Sequence, residues 1–145
     1  MLRLHPEIYA AVVIESQAQK LDPYLVGAVM MCESAGQPNA VDKERCGFGL
    51  MQLDVRGAGA NIAPMLLLDI ANNVRLGTAF LAECIDHTGS EADGVSAYNQ
   101  GLGGWMERGQ AGNPAYVEAV LTMRQTLASG GMGRIEPPDL WVRWE

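Results

Sequence analysis

Residues 22–36 read DPYLVGAVMMCESAG. Asp22 and Pro23 together mark a helix start. The carboxylate can accept from the first unbonded N–H groups, and the proline ring sits where no N–H is needed. From Tyr24 to Cys32 no residue is charged, so this helix is apolar on every side and belongs inside a core. Gly36 suits the position just past the helix end, and Pro38 stops any continuation. A buried helix of this kind sets the expectation of a mainly α domain.

Upstream, a first helix is expected from Pro6 to Lys20. Its run IYAAVVI is bracketed by Glu7 and Glu15, with only Arg3 basic before it. That pattern reads as a short amphipathic helix rather than a secretory segment, so the chain is expected to lack its own Sec signal and to leave the cytoplasm by another route. Downstream, residues 37–46 read as a loop. GFGLMQL, Gly47 to Leu53, is too short and glycine-broken for a helix and reads as extended, half of a small hairpin. A short helix from Pro64 to Leu68 follows. Asp69 can cap a longer helix that ends before Gly89, with a stripe of Ile70, Val74, Leu81, Cys84 and Ile85. Gly77 lies mid-helix at a cost of about 1 kcal/mol against Ala, which points to a close packing contact.

GVSAYNQG, Gly94 to Gly101, reads as a helix that stops at the glycines. Asn113 and Pro114 repeat the cap-and-proline signal for a last helix to about Ala128. Residues 129–145 read as a tail, broken by Pro137 and Pro138, whose Trp141 and Trp144 could pack back on the domain. The expectation is one domain over 1–145, mainly α, with a small extended β element.

Charge narrows the function. Ten Lys and Arg against 17 Asp and Glu give −7, which argues against a nucleic-acid binder and against docking on an anionic membrane. No apolar run is long enough to span a bilayer. Three cysteines and two histidines show no metal-ligand spacing, so no metal and no cofactor are expected, and the thiols read as reduced. The expected association state is a monomer.

Glu33 is the first residue to consider for chemistry. Val26, Val29 and Met30 precede it by seven, four and three residues and share its helix face. A carboxyl on an apolar face is poorly solvated, its pKa rises, and it can then act as a general acid near neutral pH. The commoner reading of such a position is a helix-end Glu turned to water or paired with Arg45. Asp42 and Asp54 flank the GFGLMQL run. Either could supply the second carboxylate that glycosidic cleavage needs, or be a turn residue bonding its own backbone. Gln52 offers an amide suited to sugar hydroxyls and N-acetyl groups. Tyr98 can pack a sugar face at a helix end, beside Asn99, or simply belong to the core.

Taken singly, the plain structural readings win. Taken in order, Glu33-Ser34, GFGLMQL, Asn73 with Gly77, SAYNQG and Tyr116-Val117 resemble the goose-type lysozyme and lytic transglycosylase superfamily over about Leu21 to Leu127. The resemblance implies an α-helical lysozyme-like fold acting on peptidoglycan, at the β-1,4 bond between N-acetylmuramic acid and N-acetylglucosamine. Glu33 matches the family's catalytic acid, and Gln52, Tyr98 and Asn99 match positions that hold the glycan. Ser34, Phe48, Asn73 and Tyr116 come from the same motifs and are expected along the substrate site. Lytic transglycosylases resemble GLMQLMP, without a carboxylate after the third motif, whereas goose-type lysozymes resemble GFGLMQVD. Here the run is GFGLMQLD, so Asp54 falls on the goose-type carboxylate and Asp42 lies close to the other one. The resemblance therefore favours an inverting muramidase with Glu33 as acid and Asp54, with or without Asp42, as base. A lytic transglycosylase is the alternative. A non-catalytic glycan-binding module and a chitin-type hydrolase stand further off.

Acid–base cleavage by carboxylates needs no Lewis acid. Exhaustive EDTA treatment is expected to leave wall-lytic turnover unchanged. Loss of activity that one divalent ion restores would overturn the metal-free expectation.

Overall fold

A computed structural model describes residues 5–129; the readings of residues 130–145, Trp141 and Trp144 included, lie outside the described residues. In chain order the elements are helices α1 (Pro6–Gln19) and α2 (Pro23–Ser34), strands β1 (Val41–Asp42), β2 (Gly47–Phe48) and β3 (Leu53–Asp54), then helices α3 (Pro64–Leu67), α4 (Ile70–Thr88), α5 (Glu91–Gln100) and α6 (Leu102–Arg108), a 3-10 turn at Gly109–Gly112, and α7 (Pro114–Ala128). The fold is the mainly α, lysozyme-like one that the sequence led us to expect.

α2 is the central element. Asp22 accepts from the Tyr24 N–H at 2.9 Å, and every residue from Leu25 to Met30 is buried. α1 and α7 pack on it, and α4 packs on α1 and α5. Ala35 ends α2 with a left-handed backbone, φ 54, and Gly36 follows in the same region. The Ser34 hydroxyl closes this turn, donating to the Met30 carbonyl and accepting from the Gly36 N–H.

α4 begins at the Asp69 cap and ends at Gly89, as its sequence signals require. Val74, Leu81 and Cys84 of its stripe are fully buried, while Ile70 and Ile85 pack on the edge of the core. Gly77 faces Met51: a methyl there would lie 2.5 Å from the Met51 sulfur and 2.7 Å from its Cβ. The glycine lets the strand-linking loop sit directly on the helix.

Two expectations need correction, and one helix was not anticipated. GFGLMQLD is a whole hairpin rather than half of one: β2 pairs antiparallel with β3, and β1 adds a third strand. α5 does stop at Gly101, as its glycines signal, and a separate helix, α6, that the sequence reading did not include starts at Leu102. Packing of the half-buried Trp105 against the core and its N–H bond to Asp93 offset the poor helix propensity. Asn113 starts α7 but does not cap it through its side chain. Its amide instead donates to the Ser96 carbonyl and the Asn99 side chain, tying α7 to α5.

Gly77→Ala gains about 1 kcal/mol of helix propensity but overfills the Met51 contact, an effect of roughly 1–3 kcal/mol. A net loss of up to about 2 kcal/mol is expected in urea unfolding. A raised midpoint would mean that Met51 moves aside freely and only the helix-propensity gain is felt.

Candidate functional site

The end of α2, the three-stranded sheet and the C-terminal end of α5 converge on one cleft of about 410 Å³, with Phe80 of α4 and Tyr116 of α7 completing the wall. A shallower groove continues from it past Ser34, Ala40, Val41 and Lys43.

Glu33 enters the cleft from the last turn of α2. Burial raises its carboxyl above the usual carboxylate range, and the nearby charge of Asp42 adds to that rise. A hydrogen bond from Tyr116 and the positive charge of Arg45 oppose it. The Tyr116 hydroxyl donates to Glu33 Oε2 at 2.7 Å, across 83 residues of chain. Burial, followed by the Glu33 charge, holds Tyr116 well above its ordinary pKa, so it remains a neutral donor.

The sheet carries the other two carboxylates in one row. Asp42 pairs with Gly47, and Gly47 with Asp54. Residues directly opposite each other share a face, so both aspartates project on the same side with a glycine between them. The space a side chain at position 47 would fill is taken by Gln52, whose Oε1 would lie 2.6 Å from a Cβ there. The Gln52 amide donates to the carbonyls of Ala40 and Gly49, which fastens the hairpin to the segment before β1.

The two aspartates differ in their partners. Asp54 Oδ1 accepts from the Arg56 backbone N–H at 2.8 Å and from Nε at 3.0 Å, and Oδ2 accepts from Arg56 at 2.9 Å. This fork of hydrogen bonds from Arg56 holds the Asp54 carboxyl below its ordinary range, against a smaller effect of burial. Asp42 Oδ1 accepts from the N–H groups of Glu44 and Arg45, both at 3.1 Å, and so shapes the β1–β2 turn. Its Oδ2 makes no hydrogen bond among the described residues.

Several residues read from the sequence stand behind the cleft rather than in it. Asn73 is fully buried, and its side chain bonds the Met51 N–H and the carbonyls of Phe48 and Leu67. It positions the hairpin and cannot touch a glycan. Tyr98 is only 7% exposed, and its hydroxyl donates to the Met51 carbonyl at 2.6 Å. Its ring, 5.3 Å from that of Phe80, contributes an edge to the wall and no free hydroxyl. Phe48 lies in β2 outside the cleft lining, and Ser34 borders only the outer groove. Glu33, Asp42, Gln52, Asp54, Asn99 and Tyr116 do line the cleft together. Sequence reasoning did not single out Cys32, Phe80, Gln100 or Arg56. Of these only Arg56 had a signal, an arginine two residues past an aspartate in a turn.

Residues 11–116 match the family description Transglycosylase SLT domain. The chain belongs to this family. The SLT domain spans α2, the sheet, α4 and α5 and ends at Tyr116, the residue that grips Glu33. An SLT domain acts on peptidoglycan, and this chain is a peptidoglycan-acting enzyme of the lysozyme-like and transglycosylase kind. No curated protein matches it. Among the described residues of this SLT domain, no helix is long and apolar enough to cross a membrane.

Tyr116→Phe removes a bond that favours the ionised Glu33. The Glu33 carboxyl is therefore expected to titrate at higher pH in the variant than in the wild type, read by carboxyl-carbon NMR. A midpoint that stays or falls would mean that Tyr116 favours the neutral acid.

Proposed function

We propose that this chain is a muramidase that hydrolyses the β-1,4 bond between N-acetylmuramic acid and N-acetylglucosamine with inversion. The observation that supports it is Glu33: a carboxyl raised by burial, held in one orientation by Tyr116, in a cleft that also holds two aspartates. Glu33 is the general acid. It gives its proton to the glycosidic oxygen as the bond from that oxygen to the anomeric carbon breaks. Water adds to the anomeric carbon from the opposite face and loses a proton to an aspartate. Exchange with solvent then restores both carboxyls. Inversion needs room for that water between acid and base, about 6.5–9.5 Å.

Asp42 suits the role of base better than Asp54. A base needs an accessible lone pair and some proton affinity. Asp42 keeps Oδ2 unengaged, whereas both oxygens of Asp54 are taken by Arg56, which lowers its proton affinity. Asp54 then orders the lip of the cleft through Arg56, whose guanidinium also donates to the Arg45 carbonyl. In this reading Asn99 and the Gln52 carbonyl face the glycan.

A second reading, the lytic transglycosylase, is favoured by the Arg56 clamp on Asp54 and by the family description. There the 6-hydroxyl of the muramyl residue replaces water and closes a 1,6-anhydro ring.

Mass spectrometry of muropeptides released from purified walls separates the two, because hydrolysis products are heavier by one water. Reducing ends are expected. Glu33→Gln should lower the rate by roughly 10²–10⁴-fold with the fold intact, and Asp42→Asn should cost more than Asp54→Asn. Anhydro ends, unaffected by either Asn variant, would move the chain to the transglycosylase reading. A Glu33→Gln variant that clears walls at the wild-type rate would remove the site assignment altogether.

A further inference from the structure

The cleft is crowded with negative charge. Among the described residues, Glu33, Asp42, Glu44 and Asp54 line it against Arg45 and Arg56, so that even with Glu33 protonated as the acid three carboxylates face two cations. The chain as a whole carries −7. A strand bearing carboxylates would be repelled from such a cleft unless a cation is free to meet it. Arg56 is not free: its guanidinium is bound to both oxygens of Asp54 and to the Arg45 carbonyl. Arg45 is different. Its backbone is fixed, the N–H on Asp42 and the carbonyl on Arg56. Among the described residues its guanidinium makes no hydrogen bond and no ion pair. Arg45 lines the same cleft as Glu33, Asp42 and Asp54, and its charge bears on both Glu33 and Asp54.

A guanidinium on an anchored backbone, exposed and unpaired among the described residues at the wall of an anionic cleft, matches a planar carboxylate better than a neutral sugar hydroxyl. We propose that Arg45 is the specificity-determining residue of this cleft, taking a carboxylate borne on the 3-O-lactyl branch of a muramyl residue, so that the cleft prefers muramyl strands to uncharged chitin-type strands. The lactyl carboxylate itself and a carboxylate of the attached peptide offer the same chemistry. The inference rests on the peptidoglycan-cleaving reading and deepens it.

Binding by the full chain, in a Glu33→Gln background that prevents turnover, tests it by calorimetry. Four probes are used: a GlcNAc–MurNAc tetrasaccharide with free lactyl carboxylates, the same glycan carrying stem peptides, the same glycan with its lactyl groups as neutral amides, and chitotetraose. The ratio of affinity for carboxylate-bearing over neutral glycans is expected to fall tenfold or more in Arg45→Gln. It should be partly kept in Arg45→Lys, and it should shrink as salt rises. Whichever charged probe shows the larger dependence on Arg45 identifies the carboxylate recognised. Using the ratio removes any effect of Arg45 on the shape of the cleft, which all probes share. An Arg45→Gln ratio equal to the parent's overturns the proposal, and so does a parent that binds none of the probes. Wall cleavage by the wild type with that ratio unmoved leaves the muramidase reading standing without this inference. A persistent Arg45-dependent preference in a chain that cleaves no glycan does the reverse.

Discussion

Asn73 ties together three backbone groups from separate segments: it accepts from the Met51 N–H and donates to the carbonyls of Phe48 and Leu67. It does so with its side chain fully buried, where each of those groups left alone would cost about 1–3 kcal/mol. The turn between β2 and β3 is therefore held against α4 at a single depth. Gly49, at φ 79, is where the backbone comes closest to Asn73; a methyl there would collide with the Asn73 amide. Gly77 opens the helix side for Met51, and Tyr98 holds the Met51 carbonyl from α5. With the turn fixed, the register of β1, β2 and β3 follows, and with it the row Asp42, Gly47, Asp54. The wall of the cleft facing α2 is in this sense a consequence of one buried amide.

The electrostatics of the cleft divide along the same structure. Glu33 stands on the apolar helix and its carboxyl is raised, while Asp54 stands on the exposed sheet lip and is lowered by its arginine. Two carboxylates pushed apart in this way can hold opposite protonation states at one pH, the condition for pairing an acid with an anion. Tyr116 adds orientation to Glu33 at the expense of some of the upward shift. Its own burial keeps it a neutral donor and so keeps that bond in place.

Much of this fold could be read directly. The charge-free run of α2, the Asp-Pro start, the Asp69 cap, Gly89 and the Asn113-Pro114 pair all act within a few residues of themselves, and the elements lie where those signals put them. α6 was not legible, because its stability comes from Trp105 reaching Asp93 and the core, and its glycines speak against helix. The raised Glu33 was legible in part. The apolar neighbours at three, four and seven residues gave the burial, but the bond from Tyr116 joins side chains 83 residues apart and leaves no local trace.

The sequence alone determined the helical class, the order of the elements and the handful of carboxylates and amides around which any site had to be built. Those properties rest on short-range physics: periodicity, capping and proline and glycine backbone limits. Only the tertiary structure decided which of these residues face the cleft. Asn73 and Tyr98 look like polar contact residues in the chain, yet both are turned inward, because the hairpin they hold has backbone groups that must be paired once buried. The sequence pattern favoured Asp54 over Asp42 as the second carboxylate, but Arg56 engages Asp54 and leaves Asp42 an open oxygen. That choice depends on how a two-residue turn directs a guanidinium in space, which the identities of the residues do not specify.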